Sequence, residues 1–301
     1  MALYTDSDHL TLADLISVDP EIPEVAETEG ISLMGDEGIC RLAWNQCADE
    51  ILQTFRLWGA WGYSGSYISW GAMGQPGGIV RAIRLSQIVV TERYARRRAP
   101  LLSWMLYRAI ALFYEAAANR RVSDRYEIKR DRAIENVKRY WHAVWAIGLP
   151  IVAKPLPCPG ALHEENAGTW SEENVSVVAG GGEPARTCEI AITWVDSSRY
   201  RGWSAPGNGE SAGSQPVVVE VPAGYTPRVS IASLTPPEGA THWNVYAADP
   251  GRALRLQNDE PVPISEVSYT INGALRVDTA VLLNGQQPET YVFAQRQLQR
   301  A

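Results

Sequence analysis

Cysteine is scarce in this chain: four in 301 residues, Cys40, Cys47, Cys158 and Cys188, far apart and without a C-x-x-C pair. That pattern fits neither a disulfide framework nor a cysteine-built zinc site. Histidine is as sparse, and His9, His142, His163 and His242 show neither H-x-x-x-H nor H-E-x-x-H spacing. No G-x-S-x-G elbow, Walker loop or G-x-G-x-x-G opening a βαβ unit occurs. The glycine-rich Gly71 to Gly78 stretch has no strand before it and no Gly-Lys-Ser after it. His163-Glu164-Glu165 and Glu172-Glu173 offer carboxylates, but in a Pro- and Gly-rich region unsuited to precise geometry. The expectation is a protein that is not an enzyme and takes no cofactor or metal. The start Met-Ala-Leu-Tyr-Thr-Asp-Ser-Asp lacks a basic opening and an apolar run, so synthesis in a reducing cytoplasm without export is expected. The longest uncharged segment, Leu57 to Val80, is long enough to span a bilayer but carries Gly59, Gly62, Gly65, Gly71, Gly74, Pro76, Gly77 and Gly78. Such a helix would be weak and its backbone poorly covered in lipid, so the segment reads as a loop and no membrane contact is expected.

What is present is enough for a core: 46% hydrophobic and 20% charged residues support one large or two ordinary domains. The net charge of −7 is unevenly spread, with 12 acids against 2 bases in residues 1–60 and 15 bases against 6 acids in residues 80–140. One reading has the signs offset one another inside one domain. Others set an acidic edge of one copy against a basic edge of the next, or turn a basic face to nucleic acid.

The first half reads as helical. A short helix over Leu10 to Ile16 stops before Asp19-Pro20, followed by an acidic connection. A second over Glu37 to Trp58 places Ile39, Ala43, Cys47, Ile51, Phe55 and Trp58 on one stripe, with Asp36 as N-cap, Gly59 as stop and its cysteines as core fillers. Next come Trp58, Trp61, Tyr63, Tyr67 and Trp70 strung on glycines, either a local plug or an arm that docks on a neighbour. A third helical region, Arg81 to Ala118, bends near Pro100 just after the basic Arg96-Arg97-Arg98. A fourth starts near Asp124, carries Ile134, Val137, Trp141, Val144 and Trp145 on one stripe, and ends at Gly148 and Pro150.

After Pro150 the period changes. Five prolines from Pro150 to Pro184 and Gly180-Gly181-Gly182 suggest an extended linker. Strand-like runs follow at Cys188 to Val195, Val217 to Val221, Arg228 to Ala232, His242 to Ala247 and Val267 to Thr270, separated by Pro- and Gly-containing turns. This argues for a β-sandwich, with Trp194, Trp243, Val245 and Tyr246 alternating with exposed polar neighbours. The fold class expected is α+β: an N-terminal helical bundle, a β-sandwich and a C-terminal arm. The expected boundaries are 1–165 for the helical domain, 166–186 for a linker, 187–272 for the sandwich and 273–301 for a return segment and arm.

Glu189 to Ser204, with Tyr200-Arg201-Gly202-Trp203-Ser204, and the later Trp243-Asn244-Val245-Tyr246 resemble fibronectin type III (Ig-like) modules, which imply binding or spacing. The helix opening at Asp124, with Asp131, Lys138 and Trp141, then Gly148-Leu149-Pro150 and Pro157-Cys158-Pro159-Gly160-Ala161, resembles head-to-tail adaptor (connector) proteins of tailed bacteriophages. Arg276-Val277-Asp278-Thr279, Asn284-Gly285 and Pro288-Glu289-Thr290-Tyr291 fit the segment by which such a protein re-enters its core after an insertion.

That resemblance implies a structural virion protein at the neck, made in the host cytoplasm. Its copies form a ring, typically of twelve, under the portal protein, extending the channel for genomic DNA and offering a surface to the next neck or tail protein. The matching portal-binding arm is Tyr291, Phe293, Arg296, Leu298 and Arg300, whose opening alternation suits strand addition. A channel that lets a polyanion slide disfavours a basic lining. Arg96, Arg97 and Arg98 are therefore expected to meet Glu24, Glu27 and Glu29 of a neighbouring copy, with Trp61, Tyr67 and Trp70 also between subunits. Two alternatives stand beside this reading: a carbohydrate- or cell-surface-binding module using Trp203 and Trp243 as stacking platforms, and a DNA-binding protein using the basic helices.

Overall fold

The structure, a computed structural model, describes residues 2–55, 57–59, 80–82, 84–90, 99–121, 124–152, 154–163, 167–180, 182–200, 209–282, 285–286 and 290–292. In chain order its elements begin with β1 (Ala2–Leu3), α1 (Leu12–Val18), α2 (Ile22–Glu29), α3 (Ile39–Thr54), β2 (Leu57–Gly59), β3 (Val80–Ala82) and β4 (Val89–Val90). Next come α4 (Pro100–Arg120), α5 (Asp124–Ile147), β5 (Leu149–Ile151), β6 (Val175–Ala179), β7 (Arg186–Val195) and β8 (Val217–Val221). Last are β9 (Tyr225–Ser230), β10 (His242–Ala248), β11 (Arg255–Leu256), β12 (Val262–Pro263), β13 (Ser268–Thr270) and β14 (Thr290–Val292). The chain is α+β, helices first and antiparallel sheets after them.

The elements fall into two units. A helical unit comprises Leu10–Gln87, Tyr94–Ile151 and Thr290–Ala301, and a β unit comprises Met1–His9, Ile88–Arg93 and Val152–Glu289. Neither is one continuous stretch, which differs from the expected boundaries: residues 1–9 and 152–165 belong with the sheets.

In the helical unit α4 is apolar on most sides and buries Leu102, Trp104, Met105, Ile110, Phe113 and Tyr114 among others. Pro100 is its first residue rather than a bend inside a longer helix. A proline there removes a donor that has no intrahelical partner anyway, while Ala99 before it is held extended. Residues 81–90, expected to be helical, instead hold the rest of β3, a 3-10 turn (Leu85–Gln87) and β4. The β-branched Val89 and Val90 are almost fully buried there, which suits strand geometry.

α3 buries Ile39, Ala43, Cys47 and Ile51 at helical spacing, with Cys40 and Cys47 as fully covered fillers. It starts after Gly38 rather than Asp36 and ends at Thr54, because Leu57–Gly59 pairs with Val80–Ala82. The loop expected between them, residues 60–79, lies outside the described residues. The supposed acidic connection contains α2: Ile22, Val25 and Ala26 form its buried stripe, and Gly30 closes it in a left-handed conformation (φ 64°).

α5 buries only Ala133, Val137 and Val144 fully, and Ile134 of the expected stripe is exposed. Rings make up the rest of its seam. Trp141 stacks on Trp104 with centroids 4.3 Å apart and meets Phe55 edge-on at 6.0 Å, while Tyr140 stacks on Tyr107 at 5.4 Å. Gly148 (φ 87°) ends the helix and turns the chain into β5.

The β unit holds the β1–β4 ribbon and two larger antiparallel sheets that share one core. One runs β11–β10–β7–β8 with β12 also on β10, and the other runs β13–β9–β6. Cys188, Ile190, Ile192 and Trp194 on one face of β7 join Trp243, Val245 and Ala247 of β10, which pack against Val229, Ile231 and Ile271. Trp194 and Trp243 are direct cross-strand partners. The opposite face was expected to be exposed, yet it is also covered: Ala191, Tyr246, Ala248, Leu254 and Leu256 form a second cluster, and Thr193 and Asn244 are fully buried. The expected linker 166–186 is part of this sandwich, supplying a 3-10 turn (Glu172–Asn174), all of β6 and the first residue of β7.

Candidate assembly surface

Opposite charge organises the helical unit. Asp19 and Glu21 flank the α1–α2 junction, and Lys129 lies one turn into α5. Its ammonium donates to Asp19 Oδ2 (2.7 Å), Glu21 Oε2 (2.6 Å) and the Tyr114 hydroxyl (3.2 Å), while Tyr114 donates to Asp19 Oδ2 (2.6 Å). Arg125, one turn earlier, also donates to Glu21. Burial pushes the Asp19 carboxyl up, but the hydrogen bonds from Lys129 and Tyr114 outweigh it and hold it below the usual range. For Lys129 burial acts downward, and the bonds to Asp19 and Glu21 carry its pKa above the ordinary lysine value. Burial, with Asp19 adding, raises the Tyr114 hydroxyl.

Further pairs extend this pattern. Arg108 binds Glu50, Arg121 lies 3.9 Å from Glu29, and Arg41 donates to Asp36 at 3.3 Å. Arg120 caps the α2 C-terminus through the Glu29 and Gly30 carbonyls. Apart from the local Arg41–Asp36 pair, these contacts let the acidic start of the chain and the basic residues after Pro100 offset one another within one helical unit.

This sorts the acids expected between subunits. Glu29 faces inward, its side chain 10% exposed beside Arg121, whereas Glu24 and Glu27 stand exposed on the outer side of α2. Nearby elements leave apolar groups in solvent, with Leu12 at 41% and Ile16 at 36% one turn apart on α1. Arg96, Arg97, Arg98, Trp61, Tyr67 and Trp70 lie outside the described residues.

The last described segment returns to the helical unit as a strand. β14 pairs antiparallel with β5, Thr290 opposite Ile151, Tyr291 opposite Pro150 and Val292 opposite Leu149. Leu149 and Ile151 are fully buried and Val292 is 8% exposed. The chain thus leaves the helical unit after β5, builds most of the β unit, and returns beside its point of departure. Of the expected arm, Tyr291 is in this strand, and Phe293, Arg296, Leu298 and Arg300 lie outside the described residues.

The polar groups of the β unit are arranged for cohesion. Asp6 accepts from Leu3 N (2.6 Å) and Cys158 N (2.8 Å), and burial pushes its carboxyl up to about 6. His9 shares Nε2 with the Leu3 carbonyl (2.7 Å), and burial pushes it down to about 4. His163 Nε2 lies 2.9 Å from Asp8 Oδ1. Burial raises the Cys158 thiol, whose neighbour is the Asp6 carbonyl at 3.9 Å, so it is not an activated thiolate. On the second face of the larger sheet one oxygen of Glu210 accepts from Thr193 (2.6 Å), Asn244 (2.9 Å) and Tyr246 (2.8 Å). Among the described residues no group of three or more His, Cys, Asp or Glu is placed to hold a metal, and no helix is long and apolar enough to cross a membrane.

Trp243, proposed as a stacking platform in one alternative, is 0% exposed and donates from Nε1 to the Glu266 carbonyl at 3.1 Å. Trp203 lies outside the described residues. The Lys129 cluster has no local signature in the sequence beyond the opposed charge of the two segments. Comparison of the chain with known protein families, with curated proteins and with solved structures gives no match.

Proposed function

We propose that this chain is a structural protein of the tailed-phage neck, a head-to-tail adaptor whose copies form a ring beneath the portal and extend the DNA channel toward the tail. The observation that carries the reading is the return of β14 to β5. It makes the bulk of the β unit an insertion between two neighbouring strands of the helical unit, with residues 293–301 following the returning strand in sequence. An arm starting from a strand already paired on one side suits strand addition to a partner.

Ring contacts follow from the charges that have no ion pair among the described residues. With Glu29 beside Arg121, Glu24 and Glu27 are the acids of α2 offered to the Arg96–Arg98 cluster of a neighbouring copy. The carbohydrate-binding alternative loses one of its two aromatic platforms because Trp243 is core, and the DNA-binding alternative loses cations to intrachain pairs.

Deleting residues 293–301 tests the arm. In co-sedimentation with the portal protein from the same genome, the full chain is expected to travel with the portal and the shortened chain to remain free. Equal co-sedimentation of both would remove the arm from the account.

A further inference from the structure

Outside this surface the β unit holds a concavity whose polar groups the adaptor reading does not use. It encloses about 400 Å³ between the end of β10, the turn after it and the segment 275–277. Three arginines line it, Arg252, Arg255 and Arg276, with one acid, Asp249, and with Leu275 and Val277 among its apolar residues. With Arg276 held by Asp259, Arg252 and Arg255 stand against the one acid of the lining.

Two observations make this more than a chance grouping of surface arginines. The first is rigidity. The Gln257 side chain, only 3% of the residue exposed, donates from Nε2 to the carbonyls of Ala247 (3.2 Å), Arg255 (2.8 Å) and Arg276 (3.3 Å), and its Oε1 accepts from Arg276 N (3.0 Å). One buried amide therefore ties together three walls of the concavity. Thr279 adds a bond to the Leu256 carbonyl (2.7 Å), and Leu256 N donates to the Ala280 carbonyl (2.9 Å). Walls fixed this way are preformed, as small-molecule sites usually are.

The second is unspent donor capacity. Arg276 is forked onto Asp259, which neutralises it and fixes it as a wall. Arg255 gives one N–H to the Thr279 carbonyl (2.6 Å). Arg252, its side chain 79% exposed, has among the described residues only Asp249, at 4.0 Å and beyond hydrogen-bond distance. Among the described residues Arg252 and Arg255, both lining this space, thus keep guanidinium N–H groups without a hydrogen-bond partner, and paired guanidinium N–H groups suit the two-oxygen face of an oxyanion.

The geometry points to a binding site for an oxyanion group, carboxylate or phosphate, carried on a compact molecule whose apolar edge lies against Leu275 and Val277. The volume suits a single ring bearing that group, such as a sugar acid or a sugar phosphate. Arg252 and Arg255 are the binding residues, and Gln257 is a positioning residue.

The test is an NMR titration of the full chain with glucuronate, glucose 6-phosphate and neutral glucose, read at the amides of Ala247, Ala248 and Ala253. Saturable shifts with either anion, weakened by added salt and absent with glucose, support the site, and the anion that binds identifies the group. Arg252→Gln is expected to weaken binding about tenfold, the scale of one charge-assisted hydrogen bond. Its side chain is exposed, and an unchanged amide spectrum away from the site verifies that the variant is folded. Failure of both anions to give saturable shifts at millimolar concentration, equal shifts with glucose, or undiminished binding by Arg252→Gln would overturn the assignment.

Discussion

Thr290 lies opposite Ile151 in a two-stranded ribbon, joining the end of the chain to the point at which it left the helical unit. The pairing closes the helical unit on itself and reduces what lies between to an insertion. Val292, 8% exposed beside Leu149, supplies the apolar contact. Val292→Ala is therefore expected to destabilise the helical unit by about 1.5 kcal/mol, the value of two buried methylenes. Hydrogen exchange resolved by segment checks this: faster exchange across α4 and α5 with no change across β7 and β10 is expected, and uniform acceleration would contradict it.

Lys129 links α5 to the α1–α2 junction through Asp19 and Glu21. Lys129→Met leaves Asp19 partly covered without its cation, and a cost of about 1–3 kcal/mol is expected at neutral pH. The sign with pH is fixed by Asp19. Its folded pKa lies below the unfolded value, so its contribution is present above the unfolded pKa and is lost as pH falls through the folded one. Urea unfolding should accordingly show the difference between the two proteins shrinking below about pH 4, near the unfolded carboxyl pKa.

Asp6 and His9 pull the β unit in opposite directions with pH. Burial raises Asp6 to about 6 from 3.8, so its stabilisation is complete below the unfolded pKa and is lost as pH rises through 6. Burial lowers His9 to about 4 from 6.5, so its share is present above 6.5 and is lost as pH falls toward 4. Over that window the two offset, and the wild type should vary little from these groups. Asp6→Asn removes one side, so its stability is expected to fall by up to about 3 kcal/mol on acidification from pH 6.5 to 4. Denaturant unfolding at several pH values checks it, and a variant as flat as the wild type would contradict it.

Glu24 and Glu27 are exposed, so reversing them should leave the isolated chain folded. In the ring they are expected to face Arg96 and Arg97, and Glu24→Lys with Glu27→Lys should abolish assembly. Adding Arg96→Glu and Arg97→Glu should restore it, read by electron microscopy of ring formation. Independent losses without restoration would separate the two clusters.

The strands of the β unit were legible because Val217 to Val221 and His242 to Ala247 are short apolar runs bounded by Pro, Gly and Asp, and α5 was legible from its apolar stripe and its stop at Gly148 and Pro150. α2 was hidden because Glu24, Glu27 and Glu29 surround a stripe of only three apolar residues. β3 and β4 were read as helix because strand pairing depends on partners far along the chain, Leu57 to Gly59 and Ala2 to Leu3. Exposure of the second face of β10 was expected from Asn244 and other polar residues, whose burial rests on Glu210 and Asn258 from separate segments. The Lys129 site could not be read locally, since Asp19 is 110 positions away.

The measurement that bears most directly on the adaptor reading is cryo-electron microscopy of the full chain mixed with the portal protein of the same genome. The account predicts a ring of copies stacked on the portal, with the strand formed by Thr290 to Val292 at its root leading residues 293–301 onto the portal surface. Single copies beside a bare portal would contradict it.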